Sequence, residues 1–188
     1  LAHPKNFPRI PLKYLGILSR FEKREIVEIK YDYMAILSGP EPQRTLFEQK
    51  LLSIALQLKG KMLMLRGKPG SDEKITSPVN CTVINHLSAA DMQKAFEQSR
   101  FIISRSGYTT VMEVLSLQKK SLLIPTPGQT EQEYLAMHLM NQGLCYCCSQ
   151  EDDLVYHINS MQDYIYKFPL LEQSGLSEVV NEFLNRYL

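Results

Sequence analysis

The chain lacks an excess of charge of either sign. Its 188 residues include 21 basic and 20 acidic side chains, which give a formal net charge of +1. Because these charges are spread along the chain and form neither a basic stripe nor an acidic tail, we expect no nucleic-acid partner. The hydrophobic share of 44% is enough to bury a core as one domain, with at most a short appended element.

Long apolar runs are also absent. No run approaches the roughly 18 residues that a membrane-spanning helix needs, and no signal-peptide pattern opens the chain. These absences favour a soluble, cytoplasmic protein. We expect any peripheral contact with a membrane to come from parts of a longer protein.

Cysteine is scarce, and its arrangement argues against a metal site. The four cysteines are Cys81, Cys145, Cys147 and Cys148. The last three fall in a short predicted strand, where Cys147 and Cys148 point to opposite faces and do not converge on one ion. His138 and His157 flank this strand without the spacing of a zinc site. We therefore predict no metal and interpret the cysteines as small buried hydrophobic residues in a reducing compartment.

Proline is dense at the start of the chain. Such a segment cannot pair as a central strand or run as a helix, so we interpret residues 1–13 as a linker from a preceding N-terminal domain. We expect residues 14–160 to form the main domain and residues 161–188 to form a tail that ends in a helix from 176. This tail either closes the domain or packs back on the preceding one, and the sequence leaves both alternatives open.

Short apolar strands alternate with amphipathic helices in the main domain. The predicted strands are 34–37, 61–65, 81–84, 101–104, 121–124 and 144–148. The predicted helices are 46–58, 88–96 with Ser88 as its cap, 111–117 and one that begins at 129–133. This alternation predicts an α/β protein, a Rossmann-like doubly wound parallel sheet of about six strands. Ligands of such sheets bind beyond the carboxyl ends of the strands.

Two consecutive strand-to-helix turns are the most informative part of the chain. The first, 105–110, is rich in hydroxyl groups, and the second, 125–128, precedes the polar helix start at 129–133. Because both helices then begin at the same edge of the sheet, their free N–H groups and dipoles favour a phosphate. Glu113 is the one carboxylate on an otherwise mostly apolar helix, so it must be solvated, paired or turned toward a ligand.

At these turns the sequence resembles a known family. Ile-Ser-Arg-Ser-Gly-Tyr-Thr-Thr-Val-Met-Glu over 103–113, Leu-Leu-Ile-Pro-Thr-Pro-Gly-Gln over 122–129 and Glu-Gln-Glu-Tyr over 131–134 resemble the C-terminal, donor-binding half of GT-B glycosyltransferases. The similarity is to family 28, which includes the N-acetylglucosaminyltransferase that forms lipid II, and it extends over about residues 14–148.

The resemblance implies a role for each matching residue. Ser106, Gly107, Thr109 and Thr110 would contact the diphosphate of a nucleotide-sugar, and Glu113 would accept hydrogen bonds from the ribose hydroxyls. Gln132 and Glu133, with Gln129 at the start of the same helix, would bind the sugar ring. Leu87 would lie near the base. Ser38 and Gly39 belong to the first loop, which would cover the donor phosphates.

The first loop departs from the family pattern, because residues 38–42 contain one glycine and two prolines where relatives have two or three glycines. Glu133 replaces a second glutamine, which exchanges an amide for an acceptor-only group and affects the expected sugar preference. Pro127 and Gly128 replace a more polar pair.

Some of these residues also have purely structural interpretations. Ser106 and Gly107 are typical of an N-cap and tight turn, and Gln132 and Glu133 suit a solvated first helical turn. Arg20 and Arg105 could neutralise a phosphate, but we assign both to surface salt bridges, which most arginines make.

The resemblance implies an inverting transfer of sugar from a UDP-sugar, for which UDP-N-acetylglucosamine is the candidate, to an acceptor hydroxyl. No Asp-x-Asp motif occurs, so we expect neither a metal ion nor another cofactor. The general base is expected in the N-terminal, acceptor-binding domain of the same enzyme, which leaves this domain able to bind donor with little or no turnover. Two alternatives stay open: a separate donor-binding subunit that needs a membrane partner, and a nucleotide-sugar hydrolase or epimerase of related fold.

Overall fold

A computed structural model describes residues 15–22, 27–168 and 176–187. The strands are β1 (Tyr31–Ile36), β2 (Met62–Leu65), β3 (Cys81–Ile84), β4 (Ser99–Ser104), β5 (Lys120–Leu123) and β6 (Tyr146–Cys147). The α-helices are α1 (Gln43–Ile54), α2 (Ala89–Glu97), α3 (Tyr108–Ser116), α4 (Thr130–Asn141), α5 (Leu154–Asp163) and α6 (Leu176–Tyr187). A 3-10 turn, Ala55–Gln57, extends α1.

All six strands are parallel and follow the order β3-β2-β1-β4-β5-β6. The chain builds outward from β1 to β3 and then returns to place β4 on the other side of β1. Ile36 pairs with both Leu65 and Ser104, so the three central strands end at the same level. The connections diverge between β1 and β4, and this switch point opens a crevice at the carboxyl edge. The predicted doubly wound sheet is confirmed.

The sheet is buried on both faces, as its short and continuous apolar strands indicate. Tyr33 and Ala35 face a core formed with α1 and α5, whereas Met34 and Ile36 face a second core formed with α2 and α3. A third cluster joins α3 and α4 over β5. Because alternate residues of β1 enter different cores, a slip of one residue would exchange both faces.

The strand and helix boundaries differ from the predicted ones at several places. β1 begins at Tyr31 rather than at 34, and β4 begins at Ser99 rather than at 101. β6 is reduced to Tyr146–Cys147. Ser88 caps α2 as predicted, because its Oγ accepts a hydrogen bond of 3.1 Å from the Asp91 N–H.

We did not predict α5, although the sequence contains a signal for it. The Asp153 side chain caps the helix by accepting a hydrogen bond of 3.1 Å from the Tyr156 N–H. Leu154, Ile158 and Met161 are buried at spacings of four and three residues, which is the pattern of an amphipathic helix.

The predicted linker lies in residues 1–13, outside the described residues. α6 agrees with the predicted tail helix, and Phe183 on it is 62% exposed. Within the described ranges, every helix is too short or too polar to cross a bilayer.

Candidate functional site

The connections that follow β1, β4 and β5 meet at the carboxyl edge of the sheet, where Arg105 links them by hydrogen bonds. Its guanidinium donates to the carbonyls of Ile124 (3.3 Å), Pro125 (2.9 Å) and Gln43 (3.1 Å), and to the side chain of Gln150. Arg105 is 1% exposed, so its assignment to a surface salt bridge is wrong. Burial lowers the pKa of Arg105 to about 10, which still leaves it charged at neutral pH.

The opening of α3 offers free backbone N–H groups. Gly107 is the N-cap in an extended conformation, and no side chain among the described residues caps this helix. A Cβ at Gly107 would meet no atom within 4 Å, so the backbone is open to an approaching ligand. Thr109 is exposed and Thr110 half-buried. An anion at this point would meet the unpaired amides of the first turn and the positive end of the helix dipole.

The opening of α4 lies beside that of α3 and is bonded to it. The Ser106 hydroxyl donates to the Gln132 carbonyl at 2.8 Å, and Gln129 is an N-cap without a side-chain cap. Gln132 Oε1 accepts from the Thr126 N–H at 3.0 Å, and its Nε2 donates to Gln129 Oε1. The structure therefore brings together Ser106, Gln129 and Gln132, but engages the amide of Gln132 within its own loop.

Glu133 is the most exposed of the three residues predicted to bind the sugar ring. It is exposed, and its Oε1 accepts a hydrogen bond of 3.3 Å from the Gly128 N–H. A carboxylate in the first turn is also favoured by the helix dipole. The remaining acceptor sites of Glu133 are available to hydroxyl groups.

Glu113 is buried, with 4% of its surface exposed, and it pairs with Arg20. Arg20 Nε donates to Glu113 Oε1 at 2.8 Å. Burial raises the pKa of the Glu113 carboxyl, and the charge and hydrogen bond of Arg20 offset only part of that rise. The half-exposed Arg20 therefore makes a salt bridge as expected, but its partner is a buried carboxylate 93 positions away, which no local pattern indicates.

The first loop lies against the loop that follows β5. Gly39 has a φ of +102°, and a Cβ at Gly39 would lie 3.7 Å from Thr126 Oγ1. This hydroxyl is buried and has no hydrogen-bond partner among the described residues. Thr126 is a residue that prediction missed, and the neighbouring Ser38 is half-buried.

Leu87 follows β3 and is half-buried against the core of α2 and α3. Val114, next to Glu113 in sequence, enters the same core. Leu87 and α3 therefore lie on the same face of the sheet. This placement is needed if Leu87 is to lie near the base and Glu113 on α3 near the ribose of one nucleotide.

Two cavities of about 710 and 510 Å³ lie at the other edge, around the amino ends of the strands. A cavity of about 460 Å³ lies at the carboxyl edge between α4, the end of β6 and the start of α5. We assign the site to the carboxyl edge, because the helix openings and the buried carboxylate are there and ligands of doubly wound sheets bind at that edge.

This strand order, with helices on both faces of the sheet, defines a Rossmann-like, doubly wound α/β domain. Residues 42–174 match the glycosyltransferase family 28 C-terminal domain, and the chain belongs to that family. The predicted relation to the donor-binding half of GT-B glycosyltransferases is thereby confirmed.

One curated relative, from Sulfurihydrogenibium sp. (strain YO3AOP1), is named UDP-N-acetylglucosamine--N-acetylmuramyl-(pentapeptide) pyrophosphoryl-undecaprenol N-acetylglucosamine transferase. It is 26% identical over 120 residues, which cover 62% of this chain and 33% of the relative. The chain thus matches about a third of that enzyme's length.

Two solved structures share the fold. MurG from Acinetobacter baumannii has a TM-score of 0.62 and 20% identity, over 98% of this chain and 59% of that chain. The solution structure of ALG13 has a TM-score of 0.52 and 17% identity, over 78% of this chain and 92% of that chain.

Proposed function

We propose that this domain binds a uridine-diphosphate sugar, with UDP-N-acetylglucosamine as the candidate, for transfer to an acceptor hydroxyl. One observation supports this most: among the described residues, α3 and α4 begin side by side at the carboxyl edge of the sheet without side-chain caps, and α3 carries a buried carboxylate. Membership of family 28 and the name of the curated relative support the same donor class.

The diphosphate would be held by the opening of α3. Its oxygens would accept hydrogen bonds from the free amides of the first turn and from the hydroxyls of Thr109 and Thr110. The Ser106 hydroxyl already donates a hydrogen bond to the Gln132 carbonyl. It therefore contributes mainly by holding the start of α3 next to the start of α4. Gly107 leaves the backbone open for close approach.

The ribose would bind to Glu113. A carboxylate has about four acceptor positions, of which Arg20 occupies one, so a vicinal diol can donate to the same group without displacing the arginine. Burial strengthens such hydrogen bonds, because little water competes with them. Leu87, on the same face of the sheet, would lie against the base.

The sugar ring would meet Glu133 more directly than Gln132, because the amide of Gln132 is engaged within its own loop. Ser38 and Gly39 would cover the donor from the first loop, and Gln129 would border the sugar at the helix start. Glu133→Gln restores the residue type of the relatives, and we expect it to change the preference among UDP-sugars more than the affinity for UDP itself.

Transfer would proceed by a single displacement. The acceptor oxygen forms its bond to the anomeric carbon, the bond to the diphosphate breaks, and the acceptor proton goes to a base of the N-terminal domain. Negative charge grows on the leaving diphosphate, where the α3 amides and helix dipole stabilise it. The absence of an Asp-x-Asp motif from the sequence supports transfer without a metal ion.

Calorimetric titration tests the donor. We expect UDP and UDP-N-acetylglucosamine to bind at least about tenfold more tightly than dTDP and dTDP-glucose, a difference of about 1.4 kcal/mol. Equal affinity for the dTDP compounds would reject the base assignment. No binding of any nucleotide, by a chain that is folded by circular dichroism, would reject the proposal as a whole.

An assay of the full-length protein separates the reaction types. Formation of a glycoside would support the transferase, whereas free sugar or an epimerised donor would support the hydrolase or the epimerase. Activity that requires a second, membrane-bound polypeptide would support the separate subunit.

A further inference from the structure

Three side chains that the proposed function does not use converge beyond the end of β6. They are Cys148, which directly follows β6, Asp152 in the next turn and His157 on α5. One ligand atom of each lies within 4.8 Å of the others, and His157 Nε2 is 3.7 Å from Asp152 Oδ2. The sequence predicted no metal because His157 lacks the spacing of a zinc site. The three residues are far from regular zinc-site spacing in sequence, but the turn between β6 and α5 brings their ligand atoms together.

The imidazole of His157 is oriented for coordination. Its Nδ1 lies 3.0 Å from the Tyr146 hydroxyl, on the neighbouring strand. When Nδ1–H donates to that oxygen, the lone pair of Nε2 points toward Asp152. A hydrogen bond from the second ring nitrogen, which fixes the tautomer and the plane of the ring, is the usual support of a metal-binding histidine.

The other two donors are also held in position. Asp152 Oδ2 accepts a hydrogen bond of 2.7 Å from the Ser149 N–H. Cys148 is buried, with 8% of its surface exposed. All three donors line the 460 Å³ cavity between α4, β6 and α5, which gives an ion a route of entry.

The charges around these residues also permit a dication. A thiolate and a carboxylate would neutralise it, and Glu133 lines the same cavity. The Lys50 ammonium donates to the backbone carbonyls of Gln150 and Asp152, so a cation also lies beside these residues.

We propose that Cys148, Asp152 and His157 form a zinc site beside the proposed donor site, with a fourth coordination position open to the cavity that Glu133 also lines. Sulfur, imidazole and carboxylate form a donor set that Zn²⁺ prefers, whereas Mg²⁺ and Ca²⁺ prefer oxygen alone. Donor atoms around a tetrahedral zinc lie roughly 3–4 Å apart. The histidine–aspartate pair already has this separation. The bound ion would fix the start of α5 against the end of β6.

A neighbouring set of sulfur atoms offers the competing ligand set. Cys147 Sγ lies 3.2 Å from Met140 Sδ and 3.7 Å from Met137 Sδ, on the side of α4. Thiol and thioether donors favour Cu(I) over Zn²⁺. Cys147 therefore provides a matched control within the same cavity.

The test uses the protein stripped of metal and titrated with Zn²⁺ alone against a chromophoric chelator. We expect one equivalent to bind and the melting temperature to rise. Co²⁺ in the same place should give a thiolate charge-transfer band and the visible bands of a tetrahedral ion. Cys148→Ser and His157→Gln should remove the band, and Tyr146→Phe should weaken zinc binding about tenfold or more.

Cys147→Ser and His138→Gln are the controls and should bind zinc as the unaltered chain does. Asp152→Asn gives a third ligand variant if Cys148→Ser fails to fold. Absence of stoichiometric zinc binding by the folded chain would overturn the proposal. So would loss of binding in Cys147→Ser with retention in Cys148→Ser, which would assign the metal to the sulfur set.

Discussion

Two buried glutamates on opposite faces of the sheet are held in different ways. Glu48 on α1 accepts hydrogen bonds from Arg66 at 2.8 and 3.1 Å and from Arg44 at 3.0 Å, so both of its oxygens are engaged. Glu113 on α3 accepts from Arg20, whose side chain is 53% exposed. Burial alone would raise the pKa of both carboxyls, but the two arginines lower that of Glu48, whereas the pKa of Glu113 stays raised.

This difference separates a structural region from a binding region. Around Glu48 the network is extended by Glu41, which pairs with Arg44, and by Glu73, which pairs with Arg66. At the crevice, by contrast, two helices begin uncapped and the buried Thr126 hydroxyl has no partner among the described residues. These groups at the crevice remain available to hydrogen-bond a ligand.

The largest expected effect is on stability. Glu48→Gln removes the buried carboxylate that Arg44 and Arg66 share and leaves them only the exposed carboxylates of Glu41 and Glu73, so we expect the free energy of unfolding to fall by about 3–5 kcal/mol. Urea unfolding at an unchanged m-value measures it. Glu97→Gln, which alters a glutamate bonded to Gln93, should cost less than about 1 kcal/mol. Equal losses in both variants would remove the distinction between the two regions.

The second effect is on ligand affinity. Glu113→Gln exchanges a charged acceptor for a neutral one, and we expect the affinity for UDP to weaken by about 1–3 kcal/mol. Calorimetry measures this, with Glu97→Gln again as the control that should bind UDP normally. Unchanged affinity in Glu113→Gln would exclude this residue from the ribose site.

The third effect tests the bond between the helix openings. Ser106→Ala removes the hydrogen bond to the Gln132 carbonyl and should cost about 1 kcal/mol both in stability and in UDP affinity. Ser116→Ala removes a similar bond, to the Phe21 carbonyl at 2.8 Å, at the other end of α3. This control should lose similar stability but retain UDP binding. Loss of UDP affinity in both would mean that Ser106 acts only through general stability.

The smallest effect is on the pH dependence of stability. The pKa of Glu48 is lowered in the folded state, so its contribution is present above the usual glutamate pKa and is lost as the pH falls through the folded value. The pKa of Glu113 is raised, so its ionisation reduces stability as the pH rises from the usual value to the folded one. Glu48→Gln should flatten the acid loss, and Glu113→Gln should steepen it. Unfolding at a series of pH values measures the slope of stability against pH for each variant. A change of slope in the same direction for both variants, relative to the unaltered chain, would contradict the comparison.

The fold was predictable from the sequence because each central strand is a short apolar run bounded by turn residues. The adjacency of the two helix openings followed from the same pattern, since consecutive β4 and β5 are neighbours in the sheet. The partners of the site residues were not predictable. Arg20 precedes β1 in sequence but pairs with Glu113 on α3. Arg105 was expected at the surface, but the surrounding loops bury it. Such long-range contacts leave no local pattern.

Amide chemical shifts of the isotopically labelled chain, recorded during addition of UDP-N-acetylglucosamine, test the central claim most directly. We expect the largest changes at Gly107 to Thr110, smaller ones at 129–133 and little change around Glu48 and Arg66. Changes concentrated around Glu48 and Arg66, or at the amino edge of the sheet, would contradict the assignment of the donor to the paired openings of α3 and α4.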